Sequence, residues 1–263
     1  MYNIEMYIVA VDDLGEDREG IARALSEALG TIFYDALIRV RVPGKGPLIV
    51  AAFAEKNIAL EKTEKLRAAG FQTLVLGQDE VETDGERTIV RKFLFNDGEL
   101  EIEARTGDEV RVEYDLIDTI VRGTRIAQTT ETETVKEQKF APGRAILTGG
   151  LMMTKSVKVN QQSSTNVREG FINLYPGKRR TLVFLESALL YDSLGLALQP
   201  TRAANFAFVL EELRRRCPGA AYDDRLLSKA GQARLLGPTF EPERHLDIAI
   251  SLLSRALRFP PRT

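Results

Sequence analysis

Asp223-Asp224-Arg225 sets two carboxylates beside a guanidinium. A hydrolase or transferase could draw an acid or base from such a group if it faced a deep pocket with other polar side chains. Lys178-Arg179-Arg180 follows Tyr175-Pro176-Gly177 and has the pattern of a turn tip. Three adjacent cations attract an anionic lipid surface by roughly 1 kcal/mol each. Arg214-Arg215-Arg216 precedes Cys217, the single cysteine, and nearby positive charge favours a thiolate.

Other candidate groups are incomplete. His245 is the only histidine. It lies in an amphipathic tail segment and suits a surface or helix-capping position. One cysteine and one histidine build no zinc site of the usual spacing within a single chain. A metal-dependent hydrolase needs three or more converging carboxylates, usually with histidine. Asp12/Asp13 and Asp115/Asp118 are only pairs, and Asp12/Asp13 suit the start of a helix. Pro43-Gly44-Lys45-Gly46-Pro47 holds glycine and lysine but lacks the spacing of a phosphate loop. Gly15 and Gly20 have that spacing, but Ile21 stands where lysine is required. Thr148-Gly149-Gly150 falls between strand-like runs and reads as a turn or bulge. No metal and no cofactor is expected.

Composition narrows the partners. The chain has 263 residues with 36 basic and 38 acidic side chains. It lacks the basic excess of an electrostatically driven nucleic-acid binder, and with no tryptophan it has little to stack on bases. Residues 1–80 hold 9 basic and 13 acidic side chains, whereas residues 189–263 hold 11 and 8. A lone cysteine fits a reducing compartment. No apolar run approaches the roughly 20 residues that cross a bilayer, and no secretory signal is visible. The expected location is cytoplasmic.

The elements that must position these residues fall into two parts. Tyr7–Val11 reads as a strand and Glu19–Leu29 as a helix ended by Gly30; Pro47–Phe53 is an apolar run. Lys56–Ala69 reads as a helix ended by Gly70, and Gln72–Leu76 as a strand. Tyr34–Val42 fits either helix or strand. Residues 78–87 are acidic and short of core residues, which suits a linker. From Arg87 the period becomes two. Asn96-Asp97-Gly98 and Thr106-Gly107-Asp108 are turn signals, and strands are expected near 117–126, 132–140, 145–155, 167–174 and 180–185. Gln128–Thr134 and Asn160–Asn166 are polar enough for loops, the first also for an exposed edge strand. The tail is helical at Arg202–Arg216 and Glu243–Leu257, with a short element starting at Asp223.

Residues 21–76 resemble the C-terminal domain of the bacterial ribosomal stalk protein. The likeness rests on Gly30, Asp35-Ala36, Pro47 before an apolar run, and Leu66-Arg67-Ala68-Ala69-Gly70 before Thr73–Leu76. It implies a small binding module. The family's factor-contacting lysines fall at Tyr34 and Leu37 here, so a translational role is not implied. Val112–Val121 resembles bacterial pleckstrin-homology-like domains, which implies a barrel closed by a helix such as Arg202–Arg216. The run from Lys139 to Arg144, with Thr148–Leu151, Asn205-Phe206 and Tyr222–Leu226, resembles bacterial proteins of two-part build with no assigned activity.

The expected fold is α+β. A small α/β-sandwich module (1–77) and a linker (78–87) precede an antiparallel β-barrel or sandwich with C-terminal helices (88–263). The expected function is non-enzymatic binding or scaffolding, with another protein or a second copy as partner. The alternatives are a carboxylate enzyme at Asp223, Asp224 and Arg225, or an anionic-surface binder at Lys178, Arg179 and Arg180.

Overall fold

The computed structural model describes residues 6–12, 14–140 and 154–259, with side chains outside 128–166. The fold is α+β. Residues 1–125 and 169–263 form one compact unit, and residues 126–168 form a second.

The first six elements are β1 (Tyr7–Asp12), α1 (Arg18–Leu29), α2 (Phe33–Arg41), β2 (Leu48–Phe53), α3 (Lys56–Ala68) and β3 (Gln72–Gly77). Their sheet runs β2-β1-β3, antiparallel throughout, with Val9 opposite Ala51 and Val75. The cap of α1 is Asp17, whose carboxylate accepts the Gly20 N–H at 3.0 Å; Asp12 belongs to β1, and Asp13 lies outside the described residues. Gly30 ends the helix at φ 72°, where a Cβ would be strained. The ambiguous 34–42 stretch is helical. Ala36, Leu37 and Val40 form a buried stripe at helical spacing, and Arg18 reaches the Val40 carbonyl at 2.7 Å.

The larger sheet holds β4 (Thr88–Phe95), β5 (Glu99–Ala104), β6 (Glu109–Glu113), β7 (Ile117–Phe140), β8 (Thr154–Pro176), β9 (Leu182–Leu185) and β10 (Ala221–Leu226). Its order is β10-β7-β8-β9-β4-β5-β6. The two turn signals join β4 to β5 and β5 to β6. The sheet is mixed, because β9 lies parallel to β4 and β10 parallel to β7. Gly123 permits the second pairing, since a Cβ there would meet Phe171 at 2.3 Å and Leu226 at 2.7 Å.

Two expectations change. The short element at Asp223 is strand β10, and the next helix starts after Ser228, whose hydroxyl accepts the Gly231 N–H. Gln128–Thr134 and Asn160–Asn166 lie within β7 and β8. Four threonines in the first stretch favour a strand, and neither stretch contains glycine or proline to break one. The expected 145–155 strand lies largely outside the described residues.

Three helices complete the chain: α4 (Arg202–Arg216), α5 (Lys229–Leu236) and α6 (Pro242–Arg258). One core lies between the β1–β3 sheet and α1–α3, through Val9, Val11, Leu25, Val40, Val50 and Leu66. A second joins the other face of that sheet (Ile8, Ala10, Leu74, Leu76) to Leu235 of α5, Ile250 and Leu253 of α6, and Phe171 and Val183 of the large sheet. A third packs α4, through Phe206, Val209, Leu210 and Leu213, on Val90, Phe93, Ile102 and Phe184. Burying such side chains stabilises by roughly 1.5–3 kcal/mol each.

Candidate functional site

In the unit formed by residues 1–125 and 169–263 a polar network centres on Arg87, whose side chain is 2% exposed. It donates to Asp247 of α6 at 2.6 Å, to Asp84 at 3.3 Å and to the Glu82 carbonyl at 2.5 Å. Asp84 also takes Arg125 of β7 at 2.7 Å, and Arg125 pairs with buried Glu169 of β8 at 2.7 Å. Ser187 donates to the other Glu169 oxygen. Burial acts against the Arg125 charge, but its hydrogen bonds to Glu169 and Asp84 outweigh this and hold its pKa above the usual value. The segment expected as a linker is therefore tied down. The Glu82 N–H donates to Ser251 at 3.1 Å, and Thr181 donates to the Glu82 carboxylate at 2.7 Å. A lone arginine closing an acidic run is the sequence signal of this network.

Beside this network lies a cleft of about 460 Å³ between Leu76, Glu82, Tyr175, Ser251, Arg255 and Arg258. Its charges are satisfied internally. Arg255 pairs with Glu80, and Arg258 pairs with Asp118 at 3.2 Å and donates to the Gly177 carbonyl. The buried Tyr175 hydroxyl stands beside Ser254 and Asn173 without a well-formed hydrogen bond, and burial raises its pKa.

Asp223 and Arg225 form a clamp. Asp223 accepts the Arg225 backbone N–H at 2.9 Å and its guanidinium at 2.6 Å, while the same guanidinium donates to the Lys45 carbonyl at 2.9 Å. Gly46, at φ 86°, makes room, since a Cβ there would lie 1.5 Å from the guanidinium. The Pro43–Pro47 turn is thus a seat for Arg225. Asp224 is exposed, with the Tyr222 hydroxyl at 3.4 Å. Lys178, Arg179 and Arg180 are exposed in the turn between β8 and β9. Arg179 donates to the Arg111 carbonyl of β6 at 2.9 Å. The two charged triplets belong to different turns and strands.

Cys217 is buried, and burial first, then Asp115, pushes its thiol up to about 11 despite Arg216. Arg216 is turned to the Asn96 carbonyl and the Tyr114 ring. His245 accepts the Glu241 N–H at 3.1 Å near the start of α6 and packs on Phe240. Among the described residues no three His, Cys, Asp or Glu side chains are grouped to hold a metal, and no helix is long and apolar enough to cross a membrane.

The remaining feature is apolar. At the start of α2, Ile32 is 65% exposed, Phe33 40%, Tyr34 65% and Ile38 43%. Tyr34 and Ile38, four residues apart, share a helix face. Searches against family models, curated proteins and solved structures found no match to this chain.

Proposed function

We propose that the chain is a non-enzymatic protein-binding module and that the start of α2 is its contact surface. The observation that carries this reading is the exposed apolar group Ile32, Phe33, Tyr34 and Ile38, in which Tyr34 and Ile38 share the helix face away from the buried Ala36, Leu37 and Val40 stripe and Ile32 and Phe33 lie open at the helix start. Contiguous exposed apolar groups mark interaction surfaces, and aromatic residues concentrate binding energy there. The charged clusters support the same reading, since Asp223 is spent on Arg225 and the Arg87 network on holding elements together. Parallel affinity capture from source cells tests it, using the wild-type chain and the Tyr34→Glu/Ile38→Glu variant. The reading expects a specific protein that the wild type retains and the variant loses. Identical capture by both, or none by either, overturns it.

A second reading concerns Lys178 and Arg180, which are exposed and make no ion pair among the described residues. Together with Arg179 they suit an anionic surface. Binding to anionic vesicles that falls steeply with salt would support this; absent or salt-independent binding would remove it.

A further inference from the structure

Six buried side-chain nitrogen and oxygen atoms have no hydrogen-bond partner among the described residues, and five of them lie around the cleft bounded by α6, β3 and β8. They are the Tyr175 hydroxyl, both amide atoms of Asn173, and the Nε atoms of Arg87 and Arg258. Tyr175 and Arg258 line the cleft, and Asn173 and Arg87 neighbour Tyr175. Arg258 Nε is charge-paired with Asp118 at 3.2 Å but off the line of a hydrogen bond. Native folds leave few such groups unpaired, so five at one opening call for a partner from outside the chain. The cleft of about 460 Å³ has room for roughly fifteen waters and falls in the size range of small-molecule sites.

The walls narrow the class of partner. Their charges are already matched, Arg255 with Glu80, Arg258 with Asp118 and Arg87 with Asp247. A phosphate would have to displace one of the chain's own carboxylates, which favours a neutral ligand. A wholly apolar ligand would leave the Tyr175 hydroxyl and its neighbours unpaired. Both donors and acceptors remain on the walls. Arg255 donates one of its five N–H groups to Glu80, while Glu80 and Glu82 keep lone pairs beyond those taken by Gly77, Arg255 and Thr181. Hydroxyl groups, which both donate and accept, match that mixture. Leu76 and the Phe259 ring, the latter 63% exposed, add apolar surface for the C–H face of a ring. The Arg258 guanidinium lies 5.4 Å from the ring centroids of both Tyr175 and Phe259 and links the two.

We infer that this cleft binds a neutral polyhydroxylated ring of monosaccharide size. The ring's hydroxyls pair with Tyr175, Arg255 and Glu82, and its C–H face rests on Phe259. The site shares no residue with the exposed apolar group of α2, so the two stand or fall independently.

Saturation-transfer NMR and calorimetric titration of the full chain test the inference. The probes are glucose, galactose, mannose and N-acetylglucosamine, with inorganic phosphate as the charged control. At least one of the sugars is expected to bind with a Kd of about 1 mM, independently of salt because it carries no charge, and phosphate is expected not to bind. Tyr175→Phe removes only the hydroxyl. It should leave thermal stability unchanged or raised, because a buried unpaired group disappears, yet weaken sugar binding roughly tenfold. Phe259→Ala, at an exposed position, is expected to weaken it roughly threefold or more. No saturable binding of any of the four sugars at about ten times that concentration, equal binding of phosphate, or unchanged affinity in either folded variant overturns the inference.

Discussion

Helices α6 and α2 are both amphipathic, yet they end differently. On α6, Ile248, Ala249, Ile250, Leu252 and Leu253 are all buried, against β1, β3 and the large sheet. On α2, Ala36, Leu37 and Val40 are buried in the small module's own core, while Ile32, Phe33, Tyr34 and Ile38 remain open. Both helices bury a stripe, but within the helix bounds only α2 exposes large apolar side chains, at Phe33, Tyr34 and Ile38; Phe259 is exposed just past the end of α6. The free energy available from covering those groups is unspent in the isolated chain. That contrast separates residues packed into the fold from residues left exposed.

The largest effect should come from breaking the buried side of the contrast. Leu253→Ala is expected to cost about 2–5 kcal/mol of stability, measured by chemical denaturation. A cost below about 1 kcal/mol would mean that α6 does not hold the small module to the large sheet. Arg87→Met should follow closely. It removes the cation from Asp247 and Asp84, which stay nearly half exposed to water, so the expected cost in the same denaturation experiment is about 1–3 kcal/mol. Tyr34→Glu/Ile38→Glu should stay within about 0.5 kcal/mol of wild type, because these side chains are exposed; a larger loss would make the face structural.

Two smaller effects sharpen the comparison by titration. Burial opposes the charge on Glu80, but the Gly77 N–H and Arg255 outweigh it and hold the carboxyl below the ordinary range. A depressed folded pKa stabilises above the unfolded value of about 4.3. That contribution is lost as pH falls through the lower folded value. Glu80→Gln should therefore narrow the stability gap between neutral and acidic pH, as followed by thermal unfolding; an unchanged pH profile would argue that Glu80 contributes nothing. Cys217, with its thiol near 11, should react slowly with a thiol reagent at neutral pH in the native chain and quickly in denaturant. Fast native labelling would contradict its burial.

Much of the fold was legible because its signals are local. Gly30, the turns at Asn96-Asp97-Gly98 and Thr106-Gly107-Asp108, and the helical stripe of Arg202–Arg216 place element boundaries within a residue or two. What stayed hidden depends on distant partners. The short element at Asp223 carries no local mark of a strand, because the pairing of β10 with β7 spans about a hundred residues and relies on the missing side chain of Gly123. Arg87 looked like the end of a linker because Asp247 lies 160 positions away. Arg225 stood out in the sequence, but its seat on Lys45 and Gly46 did not. The exposure of Ile32, Phe33 and Tyr34 has no local mark in the sequence, since 34–42 fits a strand as well as a helix.

The most direct test of the α2 surface is photo-crosslinking in source cells, with a benzoyl-phenylalanine placed at position 34 and, in a control, at the exposed Arg23 of α1. The account predicts a discrete protein adduct from position 34 and none from position 23. No adduct at position 34, or the same adducts from both sites, would contradict it.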